Sequence, residues 1–143
     1  MRISDVLRVK GAAVATVEPT ATVAELIAAL ADHNVGALVV LDGQRVIGIV
    51  SERDVVRKLH ADGEALMHSR VSEIMTKDVY TCAPDDTVDS LAEAMTQRRV
   101  RHMPVVDPDG SLAGIVSIGD VVKSRISQLE SDREQLESYI AHG

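Results

Sequence analysis

Gly48-Ile49-Val50-Ser51-Glu52-Arg53-Asp54-Val55-Val56 and Gly114-Ile115-Val116-Ser117-Ile118-Gly119-Asp120-Val121-Val122 are one nine-residue pattern written twice, 66 residues apart, with two differences. Upstream, Pro19-x-x-Thr22-Val23-x-x-Leu26 recurs as Pro84-x-x-Thr87-Val88-x-x-Leu91, at an offset of 65. Val35, Val40 and Asp42 recur as Val100, Val105 and Asp107. The one-residue slip falls at Asp42-Gly43 against Asp107-Pro108-Asp109-Gly110, a turn, where a duplicated unit tolerates a change of length. The lead-ins correspond as well, Ser4-Asp5-Val6-Leu7 with Ser72-Glu73-Ile74-Met75. Self-similarity at a fixed period speaks for architecture before local structure does.

One unit reads as β-α-β-β-α. Val14–Val17 is a short apolar strand and Pro19-Thr20 a turn. Thr22-x-x-Glu25 is a capping-box pattern opening a helix to about His33, with Val23, Leu26, Ile27 and Leu30 on one stripe and Asn34 and Gly36 ending it. Ala37–Leu41 is an apolar strand, Asp42-Gly43 a hairpin turn, Val46–Val50 the returning strand, and Ser51 starts a second helix to about Ala61. The second copy repeats this from Val79 to about Ser124, with Lys58–Arg70 as connector. A unit of some 60 residues is marginal alone. Two copies packed sheet to sheet bury the runs Ala37–Leu41 and Met103–Val106 on both faces. The expected fold is therefore α/β of the α+β type: residues 1–65 as repeat 1 with its lead-in, 66–125 as repeat 2, related by a pseudo-two-fold axis, and 126–143 as an amphipathic C-terminal helix.

The 143 residues carry a formal net charge of −7, with 45% hydrophobic and 26% charged side chains, the composition of a soluble globular chain. Tyr80 and Tyr139 are the only aromatics; Phe and Trp are absent. The core must be aliphatic, and single-strand nucleic-acid readers, which stack bases on aromatic platforms, are disfavoured. The acidic balance argues the same way. One cysteine, Cys82, admits no intramolecular disulfide and suits a reducing compartment. Met1-Arg2-Ile3-Ser4-Asp5 lacks a basic segment followed by an apolar run, and no apolar stretch approaches the ~18–20 residues of a membrane span. A cytoplasmic location without membrane association is expected.

Ser51-x-x-Asp54 and Ser117-x-x-Asp120 admit two readings. Each is a helix N-cap whose acid closes a capping box. Each is also a carboxylate beside free N–H groups at a helix start, and a carboxylate, acceptor-only, suits a vicinal diol that donates two hydrogen bonds. Arg98-Arg99-Val100-Arg101-His102 is the basic exception in an acidic chain. A helix end favours cations and accounts for Arg98 and Arg99, whereas Arg101 and His102 open the strand that leads to Pro104. No Cys-x-x-Cys or His-x-x-x-His spacing occurs, nor a nucleophile motif or a cofactor fingerprint, so neither a metal site nor an enzyme is expected.

The duplicated Gly-Ile-Val-Ser-x-x-Asp, the strand Arg101-His102-Met103-Pro104-Val105-Val106-Asp107 and the paired lead-ins resemble the CBS-domain family, in the form of a stand-alone tandem pair (a Bateman module), over residues 1 to about 126. The resemblance implies a regulatory rather than catalytic protein that binds AMP, ADP, ATP, NAD or S-adenosylmethionine between the repeats and reports energy or redox state. It implies that Asp54 takes the ribose hydroxyls with Ser51 nearby, and that Arg101 and His102 face the phosphates. Arg53 is a further cation candidate, because Gly119 replaces it in the second copy. It implies a second cleft at Ser117 and Asp120, opposite Asn34–Ala37, without cations. The adenine would be read by backbone near Val17 and Cys82, between apolar walls such as Ala37, Met103 and Pro104, with Tyr80 outside them.

Ile126, Leu129, Leu136 and Ile140 form an apolar stripe on a charged tail helix. It either folds back on its own domain or forms a homodimer. The alternative function is a ligand-independent dimerisation or adaptor module whose pockets have degenerated.

Overall fold

The computed structural model describes residues 1–142. The chain opens with α1 (Ile3–Lys10), then runs through β1 (Thr16–Val17), α2 (Val23–His33), β2 (Ala37–Asp42), β3 (Arg45–Ser51) and α3 (Glu52–Asp62). A 3-10 segment (Gly63–His68) and the short α4 (Val71–Ile74) lead to α5 (Val88–Arg98), β4 (His102–Val106), β5 (Leu112–Ser117) and α6 (Ile118–His142). β1, β2 and β3 form one sheet, with β1 parallel and β3 antiparallel to β2; β4 and β5 form an antiparallel pair. The fold is α+β, with the α-β-β-α pattern written twice and preceded by a full strand only in the first repeat.

The duplication is visible in detail. Thr22 accepts the Glu25 N–H at 3.2 Å and Thr87 accepts the Ser90 N–H at 3.1 Å, so both first helices start on a threonine cap. Both end on a left-handed residue, Asn34 (φ 52°) and Arg99 (φ 56°). Asparagine adopts that region readily, whereas arginine does so at a cost of about 1 kcal/mol. Both hairpins shift register at the same place, Val40/Leu41 and Val105/Val106.

Each sheet buries one face under its own helices. Val23, Leu26, Leu30, Leu38, Val40, Val50 and Val55 make the first aliphatic core, and Val88, Leu91, Met95, Met103, Val105, Val116 and Val121 the second. Ala37 and Val39 project from β2 on the side opposite Leu38 and Val40, yet Val39 is fully buried and belongs to neither core. That face is turned toward the second repeat: Ala37 lines a cleft together with Arg101 and His102. The repeats thus pack sheet against sheet.

The lead-ins cross over. Ile3 N–H donates to Asp86 O, Ser4 N–H to Pro84 O and Val88 N–H to Met1 O, so the segment that precedes repeat 1 packs on repeat 2. Val71 N–H donates to Ala21 O, Val23 N–H to Ser69 O, and Thr76 exchanges both backbone bonds with Ile49, so the segment that precedes repeat 2 packs on repeat 1. This exchange explains the glycine that opens the duplicated motif. A Cβ on Gly48 would stand 2.5 Å from Met75 Sδ and 3.1 Å from Thr76 O, and one on Gly114 would stand 2.7 Å from Leu7 Cδ2.

Three expectations need correction. The first strand of repeat 2 shrinks to a single bridge, Cys82 with Val105, because the residues before it turn away to line the cleft described below. The tail is not a separate helix over 126–143; α6 runs unbroken from Ile118, since nothing between Ser124 and Ser127 breaks it. Nor does the tail fold back: Ile126, Leu129, Leu136 and Ile140 are 52–77% exposed.

Candidate functional site

A cleft of about 310 Å³ opens where the two repeats meet, at the lower end of the size range for small-ligand sites. The end of β3 and the first two turns of α3 supply Ile49, Ser51, Glu52, Arg53, Asp54 and Arg57, and the chain entering β2 supplies Gly36 and Ala37. From the second lead-in come Thr76, Asp78, Val79 and Tyr80, and from the end of α5 and the start of β4 come Arg99, Val100, Arg101 and His102.

Asp54 is among the residues that line the cleft. Its Oδ2 accepts Ser51 N–H at 2.9 Å and Ser51 Oγ–H at 3.1 Å, which closes a capping box on α3. Oδ1 has no partner among the described residues, so the cap occupies one oxygen and leaves the other able to accept. The cleft also holds Arg53 and Arg57, on α3 with Asp54, and Arg99 and Arg101 from the second repeat, none within 4 Å of a carboxylate among the described residues. His102 is half-buried between the repeats. Burial pushes its pKa below the ordinary 6.5, Lys10 lowers it further, and Asp120 and Glu52 oppose this only in part. Gly36 and Ala37 occupy in repeat 1 the positions that Arg101 and His102 hold in repeat 2, and the His102 imidazole lies beside Gly36.

The sequence-derived candidates divide. Ser51, Arg53, Asp54, Ala37, Arg101 and His102 come together in this cleft. Met103 and Cys82 belong to the core of repeat 2. The Cys82 backbone is engaged in Cys82 N–H to Pro104 O and Val106 N–H to Cys82 O, so neither Cys82 nor Pro104 offers those groups to a base. Burial pushes the Cys82 thiol up to about 12, and Asp86 adds to this. Val17 pairs with Val40 and borders a separate groove with Thr16, Pro19 and Asp42.

Tyr80 lines the cleft instead of lying outside it, with Arg98 stacked on one ring face at 3.9 Å from the centroid. Arg99, read from sequence as a solvated helix end, also lines it. Its alignment with Asn34, the residue that stops the first helix, was the available signal.

The equivalent place in the other half differs. Ser117 N–H donates to Asp120 Oδ2 at 2.8 Å, as in the first copy, but the Lys10 ammonium also reaches Asp120 Oδ2 at 2.6 Å and Ile115 O at 2.7 Å. Burial pushes the Asp120 pKa up, and the Lys10 and Ser117 hydrogen bonds outweigh it, so the carboxylate titrates below its ordinary value. The expectation that this half lacks a cation is thereby corrected: the cation comes from α1, which sequence order places with the other repeat.

Comparison with known proteins gives one family. The CBS domain model matches twice, at residues 3–61 and 71–127. The CBS domain-containing protein CBSX3, mitochondrial, of Arabidopsis thaliana is 35% identical over 99% of this chain and 72% of its own length. The crystal structure of the CBS-domain containing protein ATU1752 from Agrobacterium tumefaciens superposes with a TM-score of 0.84 at 44% identity, covering 87% of this chain and 99% of that one. The CBS domain pair of MJ0100, solved in complex with 5-methylthioadenosine and S-adenosyl-L-methionine, superposes with a TM-score of 0.79 at 26% identity, covering 90% and 98%.

Proposed function

The chain belongs to the CBS-domain family, and from that premise we propose that it is a regulatory module whose Asp54 cleft takes an adenosine-containing ligand. AMP, ADP, ATP, NAD and S-adenosylmethionine are the candidates, and a ligand with a phosphate near the ribose fits best. The observation that carries this is one carboxylate, Asp54, whose Oδ1 has no partner among the described residues, sharing a cleft of mononucleotide size with four arginines, Arg53 and Arg57 from its own helix and Arg99 and Arg101 from the second repeat. A ribose diol donates to Asp54, while Arg101 and His102 receive the phosphate. The adenosine ligands of the MJ0100 pair support the ligand class. The open face of Tyr80 is a surface for the base, beside Ile49, Val79 and Val100. The role is regulation rather than catalysis: ligand bridging the two repeats biases their arrangement, and a partner responds.

Calorimetry with AMP and adenosine tests this. Arg101→Ala is expected to weaken AMP about tenfold or more, a lost charge-assisted bond, and to leave adenosine nearly unchanged. A phosphate dianion favours the charged imidazole, so binding raises the depressed His102 pKa and takes up a proton. AMP affinity therefore rises as pH falls from about 8 to about 6, by up to about tenfold, and His102→Asn flattens the slope. Equal losses for AMP and adenosine in Arg101→Ala would sink the phosphate assignment.

The second reading, a ligand-independent adaptor, is favoured by one observation: Ser51 and Asp54 form both bonds of a capping box, which by itself accounts for the Asp54 carboxylate. A partner whose binding ignores AMP supports it.

The module is a homodimer in this reading. Val56 and Leu59 on α3 and Val122, Ile126 and Leu129 on α6 are 45–67% exposed, apolar side chains that a second copy would cover. Light scattering of the full chain and of one ending at Arg125 is expected to give fewer chains per particle for the shorter one; the same number of chains in both removes the tail from the interface. The reading assigns the protein to the cytoplasm. No helix among the described residues is long and apolar enough to cross a membrane.

A further inference from the structure

The two Ser-x-x-Asp motifs are sequence equivalents in unequal states. At the first, Asp54 is bonded to Ser51 only, and Ile49 O is taken by the backbone N–H of Thr76 at 2.9 Å. At the second, the carbonyl equivalent to Ile49 O, Ile115 O, and the carboxylate equivalent to Asp54, Asp120, both accept from one ammonium, that of Lys10. The difference arises in the lead-ins. α4 is four residues long and ends at Ile74, so the chain continues extended and Thr76 pairs as a strand. α1 is eight residues long, and its extra turn carries Lys10 up to β5 and the first turn of α6. The pair is two-thirds or more withdrawn from solvent, with the Lys10 side chain 32% and Asp120 21% exposed.

An ammonium has three donors and no acceptor. At Asp120 it supplies the hydrogen bonds that a diol would donate, and it also neutralises the carboxylate. A neutral diol entering there must break an ion pair and leave a partly buried ammonium without its carboxylate, which is unfavourable. We infer that Lys10 is a built-in occupant of the second cleft: its ammonium stands where a ligand hydroxyl would, and it restricts the chain to one adenosine ligand, in the Asp54 cleft. The ligand's identity rests on the function proposed above; the occupancy of Asp120 by Lys10 does not.

Calorimetry with AMP on the full chain reads the number of sites. The wild type is expected to bind a single AMP per chain. Lys10→Met is expected to gain a second, weaker AMP, and Lys10→Met combined with Asp120→Asn to lose it again. Thermal melts establish that each variant folds, and Lys10→Gln repeats the test if Lys10→Met does not melt cooperatively. A Lys10→Met chain that still takes a single AMP overturns the inference and leaves the Asp54 reading standing. So does a wild type that already takes two. A wild type that takes none while Lys10→Met takes one overturns the Asp54 reading and supports the role of Lys10. If neither takes AMP, both fail.

Discussion

Asp54→Asn is expected to weaken AMP binding about a hundredfold while the protein stays folded. The variant keeps an oxygen for the cap but loses the charge, and two bonds to a charged acceptor contribute about 1.5 kcal/mol each, together about a hundredfold in Kd. The stability cost is bounded by the cap, about 1 kcal/mol or less. Calorimetry and a thermal melt on the same sample separate the two effects. An unchanged Kd with an altered melt would assign Asp54 to the cap alone and favour the adaptor reading.

The largest loss of stability is expected from a residue in the connector. Leu66 lies in the 3-10 segment Gly63–His68, is fully buried, and joins the first core with Leu26, Leu30 and Val71. Leu66→Ala removes three buried carbons from a site closed by α2 and α3, and is expected to cost about 3 kcal/mol, near 10 °C in melting temperature for a domain of this size. Val9, 91% exposed, is the control: Val9→Ala should stay within about 0.5 kcal/mol. Comparable melts for the two variants would mean that the connector is not part of the cooperative unit.

Leu66 also marks where sequence reading stops. The duplicated Gly-Ile-Val-Ser-x-x-Asp and the Thr22 and Thr87 caps fix the repeat, its order and most of its helix and strand positions, because periodicity and capping are local. A single leucine between Gly63 and His68 has no period, so its burial depends on which elements close over it. The crossed lead-ins are invisible for the same reason: Leu7 and Met75 are apolar in either arrangement, and only the space left by Gly114 and Gly48 shows which sheet each meets.

The candidate site follows the same division. Asp54, Arg101 and His102 stand out by residue type and by contrast with the other copy. Tyr80, Arg99 and Lys10 do not, because each is brought in by something long-range: a strand that turns aside, a helix that ends left-handed, and a lead-in helix with one more turn than its counterpart. Cys82, Met103 and Pro104 have the right types for a wall, but the ladder engages the Cys82 and Pro104 backbone and the core takes the Cys82 and Met103 side chains. Alternation along a strand separates these two faces, and a strand reduced to a single bridge gives no alternation to read.

A crystal structure of the full chain grown with AMP tests the central claim most directly. The account predicts AMP in the Asp54 cleft, with the ribose hydroxyls on Asp54, the phosphate on Arg101 and His102, and Lys10 still on Asp120. AMP bound elsewhere, or an empty cleft with Asp54 still held by Ser51 alone at saturating AMP, would contradict it.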